Sequence, residues 1–162
     1  MTTLRLTAKT SASRQTVWSL LADFANINSF NPNLTGSYLL EGNWGEIGVG
    51  TKRQCDIAGP GKNFIQEEII EWVPGSHYVI DVFNGTLPVA QSKTTFGVFD
   101  LAQTTGSEIY MEFTYTPKLG TFGALLDTLI LRHVFRLMLS RVPKGLARKA
   151  EQIEGEASAM PI

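Results

Sequence analysis

The chain has 162 residues, 43% of them hydrophobic and only 18% charged, with a formal net charge of −1. That length suits one domain around a single core, and near-neutrality argues against nucleic acid, whose phosphates call for a marked basic excess. A single cysteine, Cys55, excludes an intramolecular disulfide and fits a reduced, cytoplasmic setting.

The opening MTTLRLTAKT alternates polar and apolar residues from Thr2 to Lys9 and reads as a half-buried strand, not as a signal peptide. Ser13 follows as a helix N-cap, because its hydroxyl can accept from an amide of the first turn. Val17, Leu20, Leu21 and Phe24 then recur at helical spacing. The run Asn26, Asn28, Asn31, Pro32 and Asn33 ends this helix near Ala25, with a further helical turn around Ile27 to Phe30.

Six strands follow: Leu34 to Glu41, Thr51 to Ile57, Phe64 to Trp72, His77 to Asn84, Val89 to Ala102 and Glu108 to Thr116. Gly and Pro clusters separate them, and such short connections favour an antiparallel meander. A single helical run from Thr121 to Ile153 closes the chain. A lone long helix beside that much sheet lies across the concave face, where it can close a cavity. Its first half is apolar over a wider arc than one packing face requires. Pro143, which removes a backbone hydrogen bond and crowds the carbonyl four residues back, predicts a kink near Leu139 to Val142 or a termination there. Residues 1–154 thus form one domain, and residues 155–162 form a frayed tail. Asp127, Arg132 and Arg136 interrupt the longest apolar stretch, short of the ~18 residues of a membrane span.

Chemistry-bearing residues are few. His77 and His133, the only histidines, sit at no ligand spacing from each other or from Cys55, which argues against a metal site. Cys55 reads as a buried bystander thiol. The loop GNWGEIGVG precedes a strand and lacks the GK[ST] ending of a phosphate loop; Trp44 at its tip is either a gate or a surface-packed loop residue. Strand parity turns Ile109, Met111, Phe113 and Tyr115 toward the helix, together with Tyr78, Ile80 and Val82. It also turns Arg53, Cys55 and Ile57 inward. A buried guanidinium needs a carboxylate, and Glu67 is the candidate partner. Between Thr128 and Ala150 stand six basic residues and no acid. Either Glu67, Glu68 and Glu71 balance them, or the face meets an anionic membrane or an acidic partner.

The segments TVWSLLADFANINSFNP, GVGTKRQCDI, QEEIIEWVPGSHYVIDV and MEFTYTPK, taken with the closing helix, resemble the START-like (Bet v 1-like, SRPBCC) superfamily. The likeness is greatest to its bacterial polyketide cyclase/dehydrase and lipid-transport branch and runs from Leu4 to about Glu151. It implies an α+β helix-grip fold: a curved seven-stranded antiparallel sheet wrapped around a long C-terminal helix, with two short helices between strands 1 and 2. It implies an apolar cavity between sheet and helix as well. Arg53 matches the family's frequent arginine after the G-x-G-T turn, and Glu67 its frequent glutamate on the next strand. Phe30 and Met111 replace common tryptophans, which implies a differently shaped cavity.

The sequence therefore points to binding or transport of a lipid-like, aromatic or polyketide-like molecule. Leu21, Phe24, Phe30, Arg53, Tyr78, Phe113, Tyr115, Ile130, Val134 and Met138 are the expected lining, with Arg53 or Tyr115 fixing a polar group. The alternative is a metal-free cyclase or dehydratase using Glu67, Arg53 or Tyr115, with no cofactor in either reading. A weaker alternative has the basic face, Arg132, Arg136, Arg141, Lys144 and Arg148, touch a membrane or a protein, with a homodimer also open.

Overall fold

Alternation along the first strand, β1 (Thr2–Thr10), buries Leu4 and Leu6 and leaves Thr3, Arg5 and Thr7 exposed. The structure is a computed structural model that describes residues 1–40, 45–118 and 120–160, the side chains of residues 123 and 124 excepted. Trp44 lies outside the described residues.

Ser13 caps helix α1 (Arg14–Ala22), its Oγ accepting from the Thr16 amide at 3.2 Å. A 3-10 segment over Phe24–Ser29 follows, ending among the asparagines as their turn chemistry predicts. The remaining strands are β2 (Leu34–Leu39), β3 (Lys52–Ile57), β4 (Asn63–Val73), β5 (His77–Gly85), β6 (Val89–Asp100) and β7 (Ser107–Pro117). They form one seven-stranded sheet in the order β1-β7-β6-β5-β4-β3-β2, antiparallel throughout.

Irregularities bend this sheet where the site lies. Register shifts in the β4–β5 pair fall between Gln66 and Glu67 and between Ile69 and Glu71. Each such bulge adds local twist. The second also changes parity: Glu67 and Ile69 are buried, yet it is Trp72, not Glu71, that packs against the core farther along.

The C-terminal helical run begins one residue earlier than the periodicity predicts and is subdivided. It comprises α2 (Gly120–Leu126), a π-helical stretch (Asp127–Leu131), α3 (Arg132–Leu139) and α4 (Arg141–Ala159). The division predicted near Leu139 to Val142 falls at Ser140. Pro143 becomes the third residue of α4, in the first turn, where its missing N–H costs little. The helix also runs past Glu154, so residues 155–159, expected as a frayed tail, are helical.

Two apolar clusters fill the concave side. The larger joins Val17, Leu21, Phe24, Tyr78, Ile80 and Phe96 to Val142 and Leu146 of α4. The smaller joins Leu4, Val89, Phe113 and Tyr115 to Phe135 of α3. The break at Ser140 thus separates two helical pieces that pack into different ends of one sheet.

Candidate functional site

Where the two clusters meet they leave an apolar cavity of about 100 Å³. Its floor is Phe96 of β6 with Met111 and Phe113 of β7, and its roof is Phe135, Met138 and Leu139 of α3. Inward parity on β7 explains the floor, because Phe96 pairs with Met111 and Thr94 with Phe113 across the β6–β7 ladder. Spacing i, i+3, i+4 explains the roof. A dry cavity of ~150 Å³ holds a benzene ring, so this smaller one admits a single ring only with some give in its lining and is far from lipid-sized.

The polar edge of the cavity is Glu67. Its backbone lies opposite Arg53 in the β3–β4 ladder, and its Oε2 accepts from Arg53 Nε at 2.7 Å and from Cys55 Sγ at 3.7 Å. Arg53 is fully buried. Its Nη1 donates to the Phe24 carbonyl at 2.9 Å, and the Phe24 ring centroid lies 3.9 Å from its Cζ. Burial, the largest single influence, lowers the Arg53 pKa, but the charges of Glu67, Tyr78 and Cys55 and the Glu67 hydrogen bond together outweigh it and raise the pKa, keeping the guanidinium charged. Burial raises the Cys55 thiol, and the neighbouring Glu67 charge raises it further, so Cys55 is a poor nucleophile. Tyr78 is pushed up to about 12, again chiefly by burial.

Of the residues expected to line the cavity, Phe113 and Met138 do so, and Glu67 of the catalytic candidates reaches the wall. The others are placed differently. Arg53 lies behind Glu67 and does not contribute to the wall. Leu21, Phe24, Phe30 and Tyr78 are packed into the larger cluster, where α1, the 3-10 segment and α4 close on the sheet. Tyr115 is buried in the smaller cluster, and its hydroxyl donates to Asp127 Oδ1. Burial first, then that bond, raises its pKa. Ile130 and Val134 are 53% and 44% exposed; Val134 sits roughly 100° around the helix from the roof residue Phe135, so it turns away.

Sequence reasoning passed over Cys55, Phe96, Phe135 and Leu139 as lining residues. Parity had already turned Cys55 inward, and pairing β6 with β7 would have found Phe96. Among the described residues, no group of three or more His, Cys, Asp or Glu side chains is placed to hold a metal, and no helix is long and apolar enough to cross a membrane.

The basic face differs from its expected balance. Glu67 pairs with Arg53, Glu68 with Lys52 and Glu71 with His77. Arg132 reaches Asp127 at 3.7 Å, just outside the acid-free window. Arg136, Arg141, Lys144, Arg148 and Lys149 form no salt bridge among the described residues. The last four line an open groove between α4 and the segment Asn28 to Pro32.

Comparison with solved structures places this architecture among known relatives. TTHA0849 from Thermus thermophilus superposes with a TM-score of 0.74 at 17% identity, covering 98% of this chain and 100% of that one. A START superfamily protein from Mycobacterium smegmatis gives 0.71 at 18% identity, covering 93% and 98%. Ara h 8.0201 gives 0.68 at 13% identity, covering 92% and 97%. At such identities the likeness establishes the shared helix-grip fold. No curated protein matches the chain. The model of one family, described as polyketide cyclase / dehydrase and lipid transport, matches residues 1–151. By that match over nearly its whole length the chain belongs to the polyketide cyclase / dehydrase and lipid-transport family.

Proposed function

We propose that the protein binds and carries a compact hydrophobic molecule in the cavity beneath α3. The supporting observation is that two packed clusters on one sheet leave a small apolar gap bordered by one carboxylate. Larger lipid-like or polyketide-like ligands would enter by displacement of Met138 and Leu139, which end α3 at the helix break. Met138 is unbranched and adapts at little cost.

The cyclase or dehydratase alternative would rest on Glu67 alone, since Arg53 and Tyr115 do not line the cavity. A carboxylate already holding Arg53 and Cys55 supports retention of a ligand better than proton shuttling. Native mass spectrometry of the purified protein tests the binding reading. A bound small-molecule mass is expected, and Leu139→Trp, which fills the cavity from its roof, should lose it. An unliganded spectrum, with no thermal shift from a panel of ring-sized apolar compounds, would sink the proposal.

A second reading, contact with an anionic membrane, is favoured by a specific surface. Phe122, Leu125, Leu129, Ile130 and Leu137 are each more than half exposed on α2, the π-helical stretch and α3. Monomeric proteins seldom leave large contiguous apolar patches uncovered. Beside this stripe stand Arg136, Arg141, Lys144 and Arg148, none of them buried. A second copy meeting this face about a two-fold axis would set like charges against one another, whereas an anionic bilayer accepts both the apolar and the basic parts. Sedimentation with phosphatidylcholine vesicles should be weak and should rise when phosphatidylglycerol is added. Leu129→Ser should reduce it. Binding indifferent to lipid charge and salt would count against this reading.

A further inference from the structure

We propose that the cavity selects ligands that present a hydrogen-bond donor, such as an alcohol or phenol hydroxyl, and discriminates against the matching carboxylate. This rests on the cavity-binding reading above. The sequence names Arg53 or Tyr115, and not Glu67, as the residue that fixes a polar group of the ligand. The packing reverses the order of the pair: Glu67 stands at the wall and Arg53 behind it.

Three observations carry the reversal. Glu67 keeps 5% of its surface accessible, and of its two oxygens only Oε2 is engaged, by Arg53 and Cys55. No hydrogen bond to Oε1 is formed among the described residues, which leaves it as the Glu67 oxygen for a ligand's donor. Arg53 has no accessible surface, and among the described residues no lysine, arginine or histidine lines the cavity. The remaining polar lining is neutral. Asn31 Oδ1 accepts from the Asn33 amide, Asn33 Nδ2 donates to the Met138 carbonyl, and Thr94 offers a hydroxyl.

A ligand confined to about 100 Å³ cannot place its polar group far from Glu67. A hydroxyl there donates to a carboxylate, which makes the stronger, charge-assisted kind of hydrogen bond. A second carboxylate instead meets like charge in a poorly solvated space, and Arg53, paired with Glu67 through Nε, has no accessible surface from which its unpaired Nη2 could meet a ligand. That second carboxylate must protonate, expel Glu67 from its pairing or bind weakly.

The test uses three probes of equal ring size on the wild-type protein by isothermal titration calorimetry at neutral pH: para-ethylphenol, para-ethylanisole and para-ethylbenzoate. The phenol should bind about 10- to 100-fold more tightly than the anisole, which keeps the shape and loses the donor. The benzoate should bind more weakly than either. Glu67→Gln should narrow the gap between phenol and benzoate, because an amide can donate to a carboxylate. If that variant does not fold, the wild-type series decides alone. Benzoate binding equal to or tighter than phenol overturns the donor selection and leaves the cavity-binding reading standing. If none of the three binds, the cavity-binding reading itself falls, and the donor selection with it.

Discussion

Among the described residues Arg53 is the largest side chain that is completely buried, and its partners explain why this is tolerated. Glu67 neutralises it, the Phe24 carbonyl takes a second donor, and the Phe24 ring covers the guanidinium face. The pair is then sensitive to one-sided change. Arg53→Met should cost about 3–5 kcal/mol, because it strands a buried carboxylate, whereas Arg53→Met with Glu67→Leu should recover most of the loss. Urea unfolding midpoints of the two variants would separate these outcomes, and equal destabilisation would refute the pairing as the cause. At this scale much was legible in sequence. The parity that turns Arg53 inward demands a nearby carboxylate, and strand spacing supplies Glu67. Which member of the pair faces the cavity was not legible, since that depends on Phe24 covering the guanidinium from a different element.

Helix α4 carries two glycines with opposite requirements. A Cβ on Gly145 would lie 2.0 Å from the Phe30 carbonyl oxygen, whereas one on Gly155 would meet nothing within 4 Å. Ala is ordinarily favoured over Gly inside a helix by about 1 kcal/mol. Gly155→Ala should therefore stabilise by up to that amount. Gly145→Ala should destabilise by about 1–3 kcal/mol, because backbone must move apart to admit the methyl. Paired thermal unfolding curves would check both signs, and stabilisation by both would contradict the close approach of α4 to the 3-10 segment. The glycine after Pro143 is visible in sequence as a helix irregularity. Its role as the contact point with Phe30 is not, because the two lie 115 positions apart.

The whole molecule is closed by a polar latch between its first helix and its last. Glu154 Oε1 accepts from the Ser13 amide and hydroxyl and from the Thr16 hydroxyl, and Glu151 accepts from Thr10 and Ser11. The Thr16 hydroxyl first, then the Ser13 amide, holds the Glu154 carboxyl below its usual 4.5. A depressed carboxylate adds stability that is fully present above the unfolded-state value and is lost as pH falls through the lower folded value. Glu154→Gln should thus be less stable than wild type at neutral pH, and the difference should shrink as pH falls through the lowered folded value and the wild-type Glu154 carboxyl protonates. A stability difference independent of pH would exclude this linkage.

Local order in this chain is a property of short windows. The alternation of β1, the Ser13 cap and the antiparallel meander each follow from residues within a few positions of one another, and these the sequence determined by itself. It also located the break near Pro143 and the inward set on β7. The tertiary structure alone decided where the cavity lies. A lining residue is one whose packing contacts are left incomplete, and that depends on elements distant in sequence. Leu21, Phe24 and Tyr78 satisfy the same inward pattern as Phe113, yet α4 fills the space above them. Phe135, Met138 and Leu139 bridge the gap above Phe113 without filling it. Periodicity assigns a face, but only packing determines whether another side chain completes it.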